Sequence, residues 1–273
     1  MKQADVLKQL TTPIGAPAFP RGPFRFTNRE YLNILYRTDI DALRAVVPEP
    51  LEIDDPLVRW EIMRMPDVSG LGDYTECGQA IQVRFGEEKG EYLHAMYLDN
   101  LPALASGREI SAYPKVIGKP RLYVDSDTLV GTLDYGTLRV ATATMGYKHR
   151  AMDLEAARRE ICVPTFMLKI LWTYDSPKPS GEPRICELLR TEITDITVKG
   201  AWTGPARLEL FAHALAPRAG FPVREVGAPS HTPPPQALLR FPRQHRLARD
   251  GCMLNRHCLV SLAMTARSQP NSL

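Results

Sequence analysis

Between Leu129 and Tyr147 the side chains alternate between two faces and the chain reverses once. Leu129-Val130-Gly131-Thr132-Leu133 runs into Asp134-Tyr135-Gly136, and Leu138, Val140, Thr142 and Thr144 alternate on the way back. Period-two alternation interrupted by a glycine-bearing turn is a β-hairpin. Two strands alone cannot bury an apolar face in water, so this segment demands further strands to pack on. The chain offers them at 25–37, 57–63, 79–85, 91–98, 108–117, 165–172, 184–198 and 206–211, with a loop over 70–78 and a proline-glycine loop at 176–183. Helical signals are short. Val6, Leu7 and Leu10 permit one amphipathic turn or two before Pro13; residues 39–47 form a second helix that Pro48 closes, and Asp153 caps a third that Pro164 stops. No internal repeat is present. The predicted class is mainly β with minor α: an antiparallel β-barrel or cone with small peripheral helices.

A chain of 273 residues can bury a sizeable core, and its net charge of +3 points to neither nucleic acid nor a membrane surface as partner. The five cysteines, Cys77, Cys162, Cys186, Cys252 and Cys258, follow no disulfide spacing and read as reduced thiols. Met1-Lys2-Gln3-Ala4-Asp5 lacks the apolar run of a signal peptide, and no stretch approaches the roughly 18 apolar residues of a membrane span. A cytoplasmic protein is expected. Gly70-Leu71-Gly72 is not a dinucleotide fingerprint, because Thr75 stands where a third glycine is needed and no helix follows. His94, His149 and His213 lack metal-ligand spacing, and Cys252, His257 and Cys258 make a weak set; no metal and no cofactor are expected.

The stretch with chemical content is Gly107-Arg108-Glu109-Ile110-Ser111-Ala112-Tyr113-Pro114-Lys115-Val116-Ile117-Gly118. Read as a strand limited to an edge by Pro114, it places Ser111, Tyr113 and Lys115 on one face and Val116 on the other. A lysine near a strand end is ordinarily solvated. This segment, however, resembles the active-site segment of the acetoacetate decarboxylase family, and the resemblance extends both ways. It includes Pro17-Ala18-Phe19-Pro20-Arg21-Gly22-Pro23, Asn28-Arg29-Glu30-Tyr31, Tyr36-Arg37-Thr38-Asp39 and Val47-Pro48-Glu49-Pro50-Leu51-Glu52-Ile53. Tyr74-Thr75-Glu76, Met96-Tyr97-Leu98-Asp99-Asn100, the hairpin from Asp125 to Gly136, Ile185-Cys186-Glu187-Leu188 and Ala201-Trp202-Thr203-Gly204-Pro205 continue it in the family's order.

The resemblance implies one catalytic domain over 1–231, a closed β-barrel or cone, a homo-oligomer, a small β-keto acid as substrate, and no cofactor. It implies Lys115 as the Schiff-base nucleophile, Glu76 as the proton-transfer group, and Arg29, Glu61 and Tyr113 as site residues. Arg29 is assigned to positioning Glu76 or Glu61; the substrate carboxylate is its alternative partner. An arginine bound tightly there would stabilise the charge that decarboxylation must remove. An ordinary lysine titrates near 10.4, so fewer than about one amine in a thousand is free at neutrality. An apolar pocket or a neighbouring cation can favour the free amine, and this family is the usual illustration of both. The family's second lysine is replaced here by Val116, which is expected to pack in the core and leaves desolvation as the cause.

After His231 the composition changes. Thr232-Pro233-Pro234-Pro235 and Phe241-Pro242-Arg243 stand where another apolar strand is expected, and the segment from His231 holds six arginines, no lysine and one acid. Residues 232–273 read as an atypical basic, proline-rich tail, disordered or the product of a shifted reading frame. Two rival functions remain: Schiff-base aldol or dehydration chemistry on another keto acid, and a non-catalytic small-molecule-binding barrel.

Overall fold

The computed structural model describes residues 1–174, 181–193, 195–227 and 236–243. A short helix α1 (Gln3–Val6) and an irregular proline-rich run lead into β1 (Phe26–Arg37). Helix α2 (Ile40–Arg44) follows, then β2 (Leu57–Val68), β3 (Gly72–Phe85) and β4 (Glu88–Leu98). Helix α3 (Leu101–Glu109) crosses to β5 (Lys115–Ile117), and β6 (Lys119–Asp125), β7 (Thr128–Tyr135) and β8 (Leu138–Gly146) form a meander. After β9 (Arg150–Ala151) come α4 (Leu154–Ile161), β10 (Thr165–Leu171), β11 (Ile185–Thr191), β12 (Asp195–Thr203), β13 (Ala206–Leu210), β14 (Glu225–Val226) and β15 (Gln236–Arg243).

The strands form two sheets. The larger runs β11-β10-β4-β3-β2-β1-β15-β12-β9, with β14 on β1 and β5 on β4; the smaller runs β13-β8-β7-β6. The mainly β class with few helices is therefore present, while the path of the larger sheet ends at β11 and β9 among the described residues, without the expected closure into a barrel.

The central strands are buried on both faces, which is why 31–36 carry no polar side of the usual kind. One face of β1, β2 and β3 sets Leu32, Ile34, Tyr36, Trp60, Ile62, Cys77 and Ile81 against Leu122, Leu129, Leu133 and Val140 of the smaller sheet. The other face sets Tyr31, Met63, Met65, Tyr74, Met96 and Leu98 beneath Ala103 and Ala112 of the α3 region and Ile161 of α4. Burying each such side chain contributes about 1.5–3 kcal/mol. The chemistry lies on this second face.

Three sequence expectations change. Residues 70–78 are not a loop into a strand: β3 already starts at Gly72, so Glu76 is a strand residue. Residues 184–198 are two strands, β11 and β12, rather than one. Most consequentially, 108–117 is not a strand. Its first residues end α3, Ala112 adopts a left-handed φ of 65°, and only Lys115–Ile117 is extended. The reason is topological: β5 pairs parallel to β4, and a parallel neighbour needs a crossover, which α3 supplies. Within the tail, Gln236–Arg243 is a strand between β1 and β12; 232–235 and 244–273, with Cys252, His257 and Cys258, lie outside the described residues.

Candidate active site

Strand register assembles the site. Asn33 of β1 faces Glu61 of β2, Glu61 faces Gly78 of β3, Gly78 faces Met96 of β4, and Met96 faces Lys115 of β5. Directly opposed residues point to the same side of a sheet, so Glu61 and Lys115 share a face, separated by a residue with no side chain. The adjacent row is Tyr31, Met63, Glu76 and Leu98. Two residues along a strand return to the same face, and this brings Glu76 beside Gly78 and toward Lys115.

Lys115 is 7% exposed and Glu76 3%. The Lys115 Nζ donates to Glu76 Oε1 at 2.5 Å and lies 3.4 Å from the Ala103 carbonyl oxygen and 5.0 Å from the centroid of the Tyr113 ring. The lysine is clamped from α3. Asn100 caps that helix by accepting from the Ala103 N–H at 2.8 Å, and Arg108 in its last turn donates to the Lys115 carbonyl at 3.1 Å. The turn closes through the Tyr113 N–H to the Gly107 carbonyl at 3.0 Å. Gly107 faces the lysine so closely that a Cβ there would fall 2.6 Å from Lys115 Cδ and 3.2 Å from Nζ.

Arg29 lies between the rings of Phe26 and Tyr31, at 5.0 and 4.9 Å from their centroids, and donates to Met63 Sδ at 3.3 Å. Burial opposes its charge, but Tyr31, Glu76, Tyr74 and Tyr113 together more than offset this and hold the guanidinium above its ordinary value. Glu61 is buried, and a second arginine serves it: Arg59 Nε lies 3.6 Å from Glu61 Oε2, while Arg59 Nη2 binds Glu91 and Nη1 donates to the Glu160 carbonyl at 3.2 Å. All five sequence-predicted residues, Lys115, Glu76, Arg29, Glu61 and Tyr113, thus sit on or against one face. Val116 does not pack in the core: it is 40% exposed, because β5 turns alternate side chains to opposite sides and only Lys115 enters the protein.

Sequence reasoning passed over Arg59, Glu91, Gly107 and Tyr31. Period two sets Arg59 on the face of Glu61 and Tyr31 on that of Arg29 without giving either a role, whereas Glu91 and Gly107 depend on contacts across the fold. Among the described residues no group of three histidine, cysteine or acidic side chains is placed to hold a metal. The three described cysteines, Cys77, Cys162 and Cys186, are free thiols.

Two groups, the buried Glu91 and the half-buried His94, tilt stability against pH in opposite directions. Burial pushes the Glu91 carboxyl up to about 7 against the pull of Arg59, and burial with the Arg218 charge brings His94 down to about 4. Glu91 therefore stabilises the fold fully below its ordinary value of 4.5, and that contribution is lost as pH rises through about 7. His94 acts oppositely, stabilising fully above 6.5 and losing its contribution as pH falls through about 4. The two slopes oppose each other in the overlapping range. Relative to the parent chain, the melting temperature of His94→Gln should fall more steeply as pH is raised from 4.5 to 7, and that of Glu91→Gln should rise; parallel curves for all three proteins would contradict this.

A buried amine held against a carboxylic group, walled by methionine, leucine and tyrosine, suits an enzyme that makes an imine with a carbonyl substrate. Comparison with known proteins agrees. The family model for acetoacetate decarboxylase matches residues 10–234. An acetoacetate decarboxylase of Clostridium botulinum is 66% identical over 232 residues, covering 85% of this chain and 92% of the relative. A solved acetoacetate decarboxylase structure superposes with a TM-score of 0.83 at 61% identity, covering 90% of this chain and 97% of its own. The crystal structure of the acetoacetate decarboxylase from Legionella pneumophila gives 0.79 at 40% identity over 91% of this chain and 96% of its own. The chain belongs to the acetoacetate decarboxylase family.

Proposed function

We propose that this enzyme converts acetoacetate to acetone and CO2 through a Schiff base on Lys115, with Glu76 as its proton-transfer partner. The observation that carries this is the 2.5 Å contact between the Lys115 amine and the Glu76 carboxyl, both buried on a face rich in apolar side chains. Passing one proton along that contact yields a free amine and a carboxylic acid, the pair that carbonyl addition requires.

The amine adds to the ketone carbon, the oxygen leaves as water after protonation, and a cationic iminium remains. Electrons of the bond to the carboxylate then flow into the iminium, releasing CO2 and leaving an enamine. Glu76 returns a proton to the enamine carbon, and water hydrolyses the resulting imine to acetone and free lysine. One proton is consumed per turnover. No step needs a metal or an organic cofactor. Arg29 and Glu61 position these groups, with the charge of Glu76 acting on Arg29, and Tyr113 packs its ring against the amine.

The catalytic machinery on this reading lies within 1–231, and the tail supplies none of it. Assembly into a homo-oligomer, closure of the larger sheet toward a cone and a cytoplasmic location belong to the same reading. Among the described residues no helix is long and apolar enough to cross a membrane. Treating the protein with acetoacetate and sodium borohydride should add a reduced three-carbon adduct at Lys115, seen by peptide mass spectrometry. An unmodified Lys115 with CO2 still released would remove the imine mechanism, and absence of CO2 release from folded protein would remove the function.

A further inference from the structure

The phenol of Tyr31 is a buried hydrogen-bond donor that no described residue receives. The residue is 3% exposed, and its oxygen has no hydrogen-bond partner among the described residues. Leaving a buried hydroxyl unmet is destabilising, a penalty that phenylalanine at the same position would avoid. The residue also lies on the face that carries the site, its ring against Arg29. Tyr31 faces Met63, which faces Glu76, and the charges that act on the phenol are those of Arg29, Glu61, Arg59 and Glu76. Burial holds its ionisation well above the ordinary phenol range, so the group stays a neutral donor.

Resting on the assignment of Lys115 as the imine-forming lysine, we propose that Tyr31 is a substrate-contacting residue whose phenol donates a hydrogen bond to the carboxylate of the β-keto acid. A neutral donor suits that task. It can set the direction of the carboxylate, and so of the bond to be broken, without the full-charge attraction by which an arginine would favour the ground state. Tyr31 exchanges no proton: the hydrogen bond lapses as the carboxylate becomes CO2. The buried phenol is then a ligand position whose partner is the substrate carboxylate.

Tyr31→Phe tests this because it retains the ring and its packing and deletes only the hydroxyl. Two carbonyl compounds distinguish its role: acetoacetate, which has a carboxylate, and acetone, which does not but can form the same imine. In Tyr31→Phe, kcat/KM for acetoacetate should fall about 10- to 100-fold, the loss expected for one hydrogen bond to a charged group. Borohydride trapping of acetone on Lys115 should proceed at the parent rate, and the melting temperature should hold or rise. Unchanged acetoacetate kinetics would overturn the proposal, as would acetone trapping that declines in parallel, since the phenol would then act on Lys115 itself. A parent chain that traps neither compound would overturn the lysine assignment together with it.

Discussion

Lys115→Met is expected to abolish enzymatic CO2 release and adduct formation, leaving only the spontaneous decay of acetoacetate. Methionine fills nearly the same volume and presents no amine, so the covalent route is closed rather than slowed. The substitution also strands a carboxyl. Glu76 Oε1 loses its partner at 2.5 Å in a position only 3% exposed, and breaking a buried pair from one side typically destabilises by about 3–5 kcal/mol. A loss of activity could then be ascribed to unfolding. The double variant Lys115→Met/Glu76→Gln separates the two, because both members of the pair are then neutral. Its melting temperature should recover toward that of the parent while activity stays absent. Residual turnover above the spontaneous rate in either folded variant would show that the nucleophile lies elsewhere.

Gly107→Ala should be the second most damaging substitution, although it adds only one methyl group. In a helix, alanine is favoured over glycine by about 1 kcal/mol, so α3 itself gains. The added carbon, however, would stand 2.6 Å from Lys115 Cδ and 2.9 Å from Cε, and the lysine arm is the flexible party that must move. Displacing a reacting group by about 1 Å can cost about 100-fold in rate. The expected result is a thermally unimpaired protein with kcat lowered about 100-fold. Near-normal kcat would mean that the lysine has another productive path, and a collapse in melting temperature would mean that the helix rather than the lysine gives way. Glycine here provides space, not backbone freedom, since its φ is not in the left-handed region.

Much of this arrangement is legible in the chain. Alternation alone identifies β1, β2, β4 and the β7–β8 hairpin, and the resemblance around Lys115 brings the five site residues into view. What alternation cannot supply is which strands neighbour one another, and the site depends on that. The row from Asn33 to Lys115 joins five strands drawn from a span of more than 80 residues. Helix α3 is obscured because the alternation before Pro114 reads as an edge strand, although Asn100, Pro102 and the Ala103-Leu104-Ala105 run carry a capped helix start. Glu76 reads as a loop residue for a related reason: Gly70, Gly72 and Gly78 look like turn residues, yet Gly78 lies inside β3, where its missing side chain leaves room for the Glu61 carboxyl at 3.0 Å from the ideal Cβ position.

Lys115 and Val116 are consecutive, yet β5 sends the first into the protein and the second to its outer side, where it is 40% exposed. The two positions thereby answer to unrelated demands. What stands at 115 is dictated by carbonyl chemistry; what stands at 116 is free to follow whatever meets that side of the sheet. Exchange of a lysine for a valine there is a change of surface, made one peptide bond away from the reacting amine and on the other side of a strand from it.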